Sequence, residues 1–279
     1  MKADEKTAVL IGLGQIGGSL ALALKKAGYF KTVGGFDVNS DRLQKAGDFL
    51  DCMYSNLDEA LSAGDLIILA APVLENIRIL GKGFQTYPDK LYTDVGSTKT
   101  QMMEESRKKP GIRFIGGHPF SGTEKEGDSG WDSNLFSGKP YFWVQENSQS
   151  IDDQSCIINM IKAIGAIPKA IDPEEHDRAL ALTSHLPILI SLGLAGMLDE
   201  DVYSSDFIGS GFLSTTRIAG GSAELGRDIL ISNREAVLNE MTRFNENLAK
   251  LVESLENSNE NQLLELMVKF KQRYSAISH

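Results

Sequence analysis

The glycine-rich segment Gly12-Leu13-Gly14-Gln15-Ile16-Gly17 constrains the fold more than any other feature of this sequence. It follows directly on the apolar, strand-like run Thr7–Gly12 and opens a helical pattern. In such an arrangement the first glycine permits a tight turn, the second lets the backbone approach a pyrophosphate, and the third lets the helix pack closely on the strand. The helix N-terminus then faces the phosphates. The segment therefore predicts the phosphate-binding turn of a Rossmann-type domain.

Asp37 supports this interpretation, because it ends the next predicted strand, Thr32–Asp37, at the distance from Gly17 that the fingerprint requires. Its carboxylate can bind both ribose hydroxyls and would repel a 2′-phosphate, which favours NAD over NADP. Polar residues just after it, Arg42 among them, could still accommodate a phosphate. The alternative is a glycine-rich turn in an unrelated α/β fold, with Asp37 capping a helix. The predicted cofactor residues are Gly12, Leu13, Gly14, Gln15, Ile16, Gly17 and Asp37, with Ala71, Pro72 and Val95 at the ends of later strands.

Short β-branched runs alternate with helical patterns up to residue 172. The predicted strands are Thr7–Gly12, Thr32–Asp37, Asp65–Ala70, Lys90–Val95, Ile112–Gly116, Tyr141–Val144 and Pro168–Ile171. The predicted helices are Ile16–Ala27, Asp58–Ala63, Glu75–Gln85, Lys99–Lys108 and Asp152–Ile164. This alternation is typical of a parallel sheet with helices on both faces. We therefore predict an α/β dinucleotide-binding domain over residues 1–172.

The pattern changes at Pro173, where strand-like runs disappear and long helical patterns begin. One pattern covers Glu174–Leu198, with Pro187 as an expected kink or break. Others cover Asp228–Leu255 and Gln262–Tyr274. Within the second, steps of four and three separate Val237, Met241, Phe244, Leu248, Leu251 and Leu255, which we call the apolar stripe. Such a stripe packs against a helix of the same subunit or of a partner. We predict an all-α substrate and dimerisation domain over residues 173–279.

Charge and composition exclude several classes of partner. The formal net charge of −10 argues against nucleic acid or an anionic membrane surface, since both require a basic face. Cys52 and Cys156 are too few for a disulfide framework or a metal site. The longest apolar stretch, Leu186–Leu198, is too short to cross a bilayer, and the N-terminus shows no signal-peptide pattern. We expect a cytoplasmic protein with a small-molecule substrate and no metal.

His118 is the first candidate for catalysis. It closes the predicted strand IRFIGGHP, at the carboxyl edge where ligands bind in parallel sheets. Ser97 follows the preceding strand and should reach the same edge. A neutral imidazole beside a carbinol can accept its proton while hydride leaves the same carbon. A structural hydrogen-bonding role is the alternative for His118, and His176 is more typical of a structural residue.

Five segments together resemble the prephenate/arogenate dehydrogenases of tyrosine biosynthesis. In order along the chain they are GLGQIGGSLA (12–21), TDVGSTK (93–99), GGHPFSGTEKEG (116–127), EEHDRALALTSHLP (174–187) and GFLSTTRIAGG (211–221). The resemblance implies a cyclohexadienol substrate with a 4-hydroxyl, a ring carboxylate and a pyruvyl or alanyl side chain. Hydride then passes from C4 to NAD while the ring carboxylate departs as CO2. The resemblance also implies an intertwined homodimer through the C-terminal helices.

The same resemblance assigns roles to individual residues. His118 binds and deprotonates the 4-hydroxyl, and Ser97 hydrogen-bonds that hydroxyl near the nicotinamide. Arg217 is the expected carboxylate clamp, a task suited to a planar guanidinium. The remaining predicted substrate residues are Ser184 and His185 beside Pro187, and Gly122, Thr123 and Glu124 in the loop after His118. An ordinary ion pair for Arg217 and a buried core position for His185 are the alternatives.

Two departures from the family pattern concern the substrate. Many prephenate-specific members have S-H-L-P-H, whereas this chain has Ile188 at the last position. The segment after the arginine motif reads Ala223-Glu224-Leu225-Gly226-Arg227-Asp228 instead of a Pro-x-Met-Trp run. Prephenate and arogenate therefore both remain open. The rival classes are a β-hydroxyacid-type NAD(P) dehydrogenase, whose lysine motif is absent, and a non-enzymatic NAD-sensing protein, which would not need His118, Ser97 or Arg217.

Overall fold

A computed structural model describes residues 5–109, 111–122, 125, 127–146, 149–198 and 205–276. The N-terminal part contains a six-stranded parallel sheet. Its strands are β1 (Thr7–Ile11), β2 (Thr32–Phe36), β3 (Cys52–Met53), β4 (Leu66–Leu69), β5 (Leu91–Asp94) and β6 (Arg113–Ile115), in the order β3-β2-β1-β4-β5-β6. This is the strand order of a dinucleotide-binding Rossmann fold, with the direction of winding reversed between β1 and β4. The predicted fold class is confirmed.

Helices cover both faces of this sheet. They are α1 (Gln15–Ala27), α2 (Ser40–Ala46), α3 (Leu57–Ala63), α4 (Val73–Thr86), α5 (Thr100–Arg107) and α6 (Ile151–Ala163). Successive side chains of β1 point to opposite faces, so Leu10 packs in one core cluster and Val9 and Ile11 pack in the other. The short elements α2 and β3 were not predicted, because neither carries a clear apolar period.

A second, three-stranded sheet corrects the prediction of a single sheet. It consists of β7 (Gly117–Pro119), β8 (Pro140–Val144) and β9 (Ile167–Ile171), with β7 and β8 antiparallel and β8 and β9 parallel. The predicted strand ending in His118 is therefore two strands. The chain leaves the large sheet after Ile115, and Gly117 allows this crossing because a side chain there would lie 2.6 Å from the Asp94 carbonyl oxygen.

The part of the chain after residue 172 is helical, as predicted. It contains α7 (Pro173–Leu180), a π-helical turn (Ala181–His185), α8 (Leu186–Ala195), α9 (Ser210–Thr216), α10 (Ala223–Ser232), α11 (Arg234–Glu256) and α12 (Glu260–Ser275). Asn233 separates α10 from α11, so the predicted helix Asp228–Leu255 is two helices. The boundary after residue 172 remains a prediction, although Asp172 does cap α7 through the backbone N–H of Glu175.

Of the kink or break expected at Pro187, the break is absent, and the irregularity is a π-helical turn just before this residue. The π-helical turn immediately before it widens the backbone, and Pro187 then lies in the first turn of α8, where its missing N–H costs little. Within the described part of the chain, residues 173–195 thus form one helical stretch that is long and apolar enough to cross a membrane by length and composition alone. His176, Asp177 and His185 are buried polar residues on this same stretch.

Candidate active site

The glycine-rich turn between β1 and α1 has the shape that a pyrophosphate requires. Gly12 has a φ of +97°, and a side chain there would lie 2.7 Å from the backbone of Ala70. A Cβ at Gly17 would lie 2.1 Å from the Gly12 carbonyl oxygen, whereas a Cβ at Gly14 would meet nothing within 4 Å. The open space at Gly14 and the start of α1, which has no side-chain cap, fit a bound phosphate group.

Asp37 ties this turn to the end of β2. Its carboxylate is 6% exposed and accepts hydrogen bonds from the backbone N–H groups of Leu13 at 2.7 Å and Asn39 at 2.8 Å. The guanidinium of Arg42 also contacts both carboxylate oxygens, at 3.2 and 3.3 Å. Arg42 is therefore paired with the residue predicted to bind the ribose. From the sequence, Asp37 favours NAD, whereas Arg42 could accommodate the 2′-phosphate of NADP. In the structure these two side chains bind each other.

The other predicted cofactor residues lie at the same edge of the sheet. Ala71 follows β4 and donates its backbone N–H to the side-chain oxygen of Asn76 at 3.0 Å. Pro72 precedes the first turn of α4, and Val95 directly follows β5. Because the carboxyl ends of parallel strands share one edge, these residues face the crevice beside the glycine-rich turn. Their contact with a cofactor remains a prediction.

Trp131 is a neighbour of the glycine-rich turn that the sequence did not indicate. Its indole N–H lies 3.0 Å from the Leu13 carbonyl oxygen and 3.1 Å from that of Gly14. A side chain at Gly18 would collide with this indole at 1.9 Å. The segment before Trp131 also accepts a hydrogen bond from Gln15, at the Lys125 carbonyl oxygen. The loop that follows His118 therefore packs on the first turns of α1.

His118 lies on β7 and is 8% exposed. Its Nδ1 is 2.9 Å from Nε2 of His176, and its ring packs edge-on against Phe120. Burial, together with the nearby His176 and Lys99, lowers the pKa of His118 well below 6.5. His118 is therefore neutral at pH 7. Among the described residues no side chain or backbone group bonds its Nε2, so this atom is available to accept a proton.

A buried ion pair fixes the strand that carries His118. Lys99 and Asp94 are both fully buried, and the Lys99 ammonium bonds the Asp94 carboxylate and, at 2.5 Å, the Gly117 carbonyl oxygen. The other Asp94 oxygen accepts the Gly117 N–H at 2.9 Å. Burial lowers the pKa of Lys99, while Asp94 acts in the opposite direction. Both polar groups of Gly117 are thus held immediately before His118.

Ser97 lies between these two charged residues, in the loop from β5 to α5, and is half-buried. The three residues that follow Ser97 are held by hydrogen bonds. The hydroxyl of Thr98 donates to the hydroxyl of Ser232 at 2.9 Å, and Asp177 accepts hydrogen bonds from the backbone N–H groups of Lys99 and Thr100, both at 2.8 Å. The loop therefore has a fixed position beside β7. The role of Ser97 toward the substrate remains a prediction.

The remaining predicted substrate residues occupy different environments. His185 is fully buried, and its Nδ1 lies 3.0 Å from the amide nitrogen of Asn233. Ser184 is half-buried in the π-helical turn, and Gly122 follows β7 with open space around it except for the Gln15 side chain. Arg217 is exposed at the end of α9. Thr123 and Glu124 lie outside the described residues. The substrate contacts of these residues remain a prediction.

Asp94, Lys99, His176, Asp177 and Asn233 complete the cluster around His118 and were missing from the predicted site. A local signal existed for some of them. Asp94 and Lys99 flank Ser97 in TDVGSTK, and the adjacent His176 and Asp177 interrupt an otherwise solvent-facing helical pattern. The partners of these side chains lie far away along the chain, so the sequence alone did not identify them.

Comparisons with known proteins agree with this arrangement. A family profile described as "Prephenate dehydrogenase, nucleotide-binding domain" matches residues 20–168, and one described as "Prephenate dehydrogenase, dimerization domain" matches residues 172–269. A prephenate dehydrogenase of Bacillus subtilis is 32% identical over 264 residues, which cover 88% of this chain and 68% of the relative.

Two solved structures have the same fold over nearly the whole chain. The first is prephenate dehydrogenase from Aquifex aeolicus in complex with hydroxyphenyl propionate and NAD+, with a TM-score of 0.89 and 27% identity over 98% of both chains. The second is Synechocystis arogenate dehydrogenase, with a TM-score of 0.78 and 28% identity over 97% of this chain and 99% of that one. The similarity therefore includes both the cofactor-binding and the helical parts.

Proposed function

The chain belongs to the prephenate dehydrogenase family, and we propose that it is an NAD-dependent dehydrogenase of prephenate, arogenate or both. The reaction removes a hydride from C4 of the cyclohexadienol ring and releases the ring carboxylate as CO2. The products are 4-hydroxyphenylpyruvate or tyrosine. The enzyme class and the cofactor follow from family membership and from the Rossmann fold around the glycine-rich turn.

The buried, neutral His118 is the observation that carries the proposed chemistry. NAD, when bound, accepts the hydride from C4. His118 Nε2 accepts the proton of the 4-hydroxyl, so that the oxygen can form a carbonyl as the hydride leaves. When the bond from C1 to the carboxylate breaks and CO2 departs, its electron pair makes the ring aromatic, and His118 returns the proton to the phenolate oxygen. Ser97 donates or accepts a hydrogen bond at the same hydroxyl from the loop after β5. Because burial lowers the pKa of His118, its imidazole ring is in the neutral form that can accept this proton.

Arg217 is proposed to bind a carboxylate of the substrate. Its guanidinium can make paired hydrogen bonds to a carboxylate. Because the protein has a net charge of −10, an anionic substrate needs a positively charged group in the site itself. Gly122, Ser184 and His185 are proposed to shape the pocket around the ring, together with Thr123 and Glu124. Ile188 is half-buried on α8 and provides no polar group for the substrate side chain, so the pyruvyl and alanyl forms both fit the proposal.

The proposal includes a homodimer through the C-terminal helices. The second matching profile describes a dimerisation domain. The apolar stripe of α11 is buried only at its start: Val237 is 3% exposed, whereas Leu248 and Leu255 are 45% and 62% exposed. Leu182 and Leu192 on the apolar stretch 173–195 are also about half exposed, at 48% and 46%. We propose that a second subunit covers these faces, and that the protein is a soluble dimer in the cytoplasm.

The direct test is NADH formation, followed by absorbance, with prephenate and with arogenate, each in the presence of NAD or NADP. The proposal expects turnover with at least one substrate and a higher kcat/KM with NAD than with NADP. Absence of turnover with both substrates would refute it. Sedimentation at micromolar concentration tests the dimer, since an interface that buries roughly 2,000 Å² or more should persist there, and a monomeric mass would refute that part alone.

A further inference from the structure

His118 is the first member of a chain of three buried residues. Its Nδ1 contacts His176 Nε2 at 2.9 Å, and His176 Nδ1 contacts Asp177 Oδ1 at 2.8 Å. The exposed fractions of His118, His176 and Asp177 are 8%, 1% and 3%. The roles proposed above use only His118. The two residues behind it therefore need an explanation of their own.

Asp177 determines which ring nitrogen of His176, and through it which ring nitrogen of His118, carries a proton. Burial alone would raise the pKa of its carboxyl, but hydrogen bonds from His176 and from the backbone N–H of Thr100 lower it below its ordinary value. The backbone N–H of Lys99 is a third donor. An ionised carboxylate can only accept hydrogen bonds. The shared proton between Asp177 and His176 therefore resides on His176 Nδ1.

The same reasoning continues to His118. A His176 ring that carries a single proton, on Nδ1, presents a lone pair on Nε2. His118 Nδ1 faces this lone pair and must be the donor, which leaves the lone pair of His118 on Nε2. This is the ring nitrogen without a partner among the described residues. The other tautomer would place two lone pairs opposite each other in a buried site.

We infer that His176 and Asp177 are positioning residues, which hold His118 in the tautomer with a basic Nε2 and stabilise the positive charge that the ring acquires with the substrate proton. The inference rests on the proposed function, in which His118 is the base. Asp177 also binds the first turn of α5 through Lys99 and Thr100, so one carboxylate orients both the base and the loop of Ser97. A carboxylate behind an imidazole base acts in this way in other enzymes.

Two substitutions at His176 separate orientation of His118 from packing. The amide of Asn lies near the position of Nδ1, so His176→Asn retains a donor toward Asp177 and loses the acceptor for His118. The amide of Gln lies near the position of Nε2, so His176→Gln retains the acceptor for His118 and loses the donor toward Asp177. Both variants are of similar volume and polarity, and their folding is compared by urea denaturation.

We expect His176→Asn to lower kcat by about ten- to hundredfold, which is the effect of one hydrogen bond to a charged group, with little change in KM for NAD. His176→Gln should recover most of this loss. If the role is only structural, the variant with the lower urea midpoint should have the lower kcat, whichever variant retains the acceptor for His118. Equal kcat values for His176→Asn and the wild type would overturn the inference.

A spectroscopic measurement on the unmodified protein provides a second test. In the NAD-bound enzyme labelled with 15N at histidine, His118 should show a protonated Nδ1 and an unprotonated Nε2, and His176→Asn should show a mixture of tautomers. A protonated Nε2 in the wild type would overturn the inference. His118→Asn serves as the control for the proposed function. If His118→Asn retains full turnover, the base assignment fails; if it is inactive while both His176 variants match the wild type, only the positioning role fails.

Discussion

The histidine at position 185 should make the folded protein less stable in acid. His185 is fully buried, and its burial lowers its pKa to about 4. Its Nδ1 accepts a hydrogen bond from Asn233, which also donates to the Asp177 carbonyl oxygen at 2.7 Å. An unfolded chain has a histidine pKa of about 6.5. The unfolded state therefore binds a proton at a pH where the folded state still excludes it.

The sign and size of the effect follow from this difference. Above about pH 6.5 the ring is neutral in both states, and its contribution to stability is complete. As the pH falls from 6.5 to about 4, protonation stabilises only the unfolded chain, and by pH 4 about 3 kcal/mol is lost. Urea denaturation at a fixed protein concentration, repeated between pH 7.5 and 4, measures this loss.

His185→Gln removes the titrating group, so its free energy of unfolding should fall about 3 kcal/mol less over this range than that of the wild type. The substitution can lower stability at every pH, but only the slope with pH enters the comparison. Thr183→Ala is a matched control, because Thr183 is an exposed residue of the same π-helical turn and its hydroxyl bonds only the Ala179 carbonyl oxygen among the described contacts. Parallel pH curves for His185→Gln and the wild type would refute the reasoning.

Three further predictions concern the site itself. His118→Asn should lower kcat by about 10²–10⁴-fold with a much smaller change in KM. In the wild type, the midpoint of the acid limb of the kcat/KM profile should lie below pH 6.5, because burial lowers the pKa of His118; a midpoint above pH 6.5 would contradict this. Asp37→Ser should shift the NAD to NADP ratio of kcat/KM toward NADP, because it frees Arg42 for the 2′-phosphate. The double variant Asp37→Ser/Arg42→Ala should lose that gain, and an unchanged ratio in the single variant would show that Asp37 does not contact the ribose. Arg217→Ala should raise the substrate KM by about ten- to hundredfold and leave the Kd of NAD unchanged, with Arg217→Lys recovering only part; weaker NAD binding would exclude the substrate role.

Local patterns in the sequence were sufficient for the cofactor half of the fold. The apolar runs that became β1, β2, β4 and β5 are buried parallel strands, and their period and composition are visible within a few residues. The glycine-rich turn was predictable for the same reason, since Gly12 and Gly17 have no room for a side chain and Gly14 leaves open space for a phosphate. The short β3 and α2 could not be predicted, because β3 is an exposed edge strand and α2 is a single short helix.

The crossing at Gly116 and Gly117 shows where local patterns become insufficient. The segment from Arg113 to Pro119 reads as one strand, but the neighbours that divide it between two sheets are Asp94 and Tyr141, both distant in sequence. The prediction placed His118 at the end of the strand that became β6. In the structure His118 lies just beyond β6 along the chain, on β7 of the second sheet. A long-range steric contact, and not a local propensity, determines which sheet a short segment joins.

The two predicted parts of the chain are not independent at the proposed active site. Sequence reasoning assigned the base, His118, and its loop partner, Ser97, to the N-terminal domain, and described residues 173–279 as the substrate and dimerisation domain. In the structure, however, the groups that orient His118 come from α7, and Asn233 at the junction of α10 and α11 binds the Asp177 carbonyl oxygen. The hydroxyl of Ser232 at the same junction bonds Thr98 beside Ser97. The helical part therefore supplies the support for both proposed catalytic side chains, and a Rossmann domain expressed without it would retain the cofactor turn but lack every described side-chain hydrogen bond to His118.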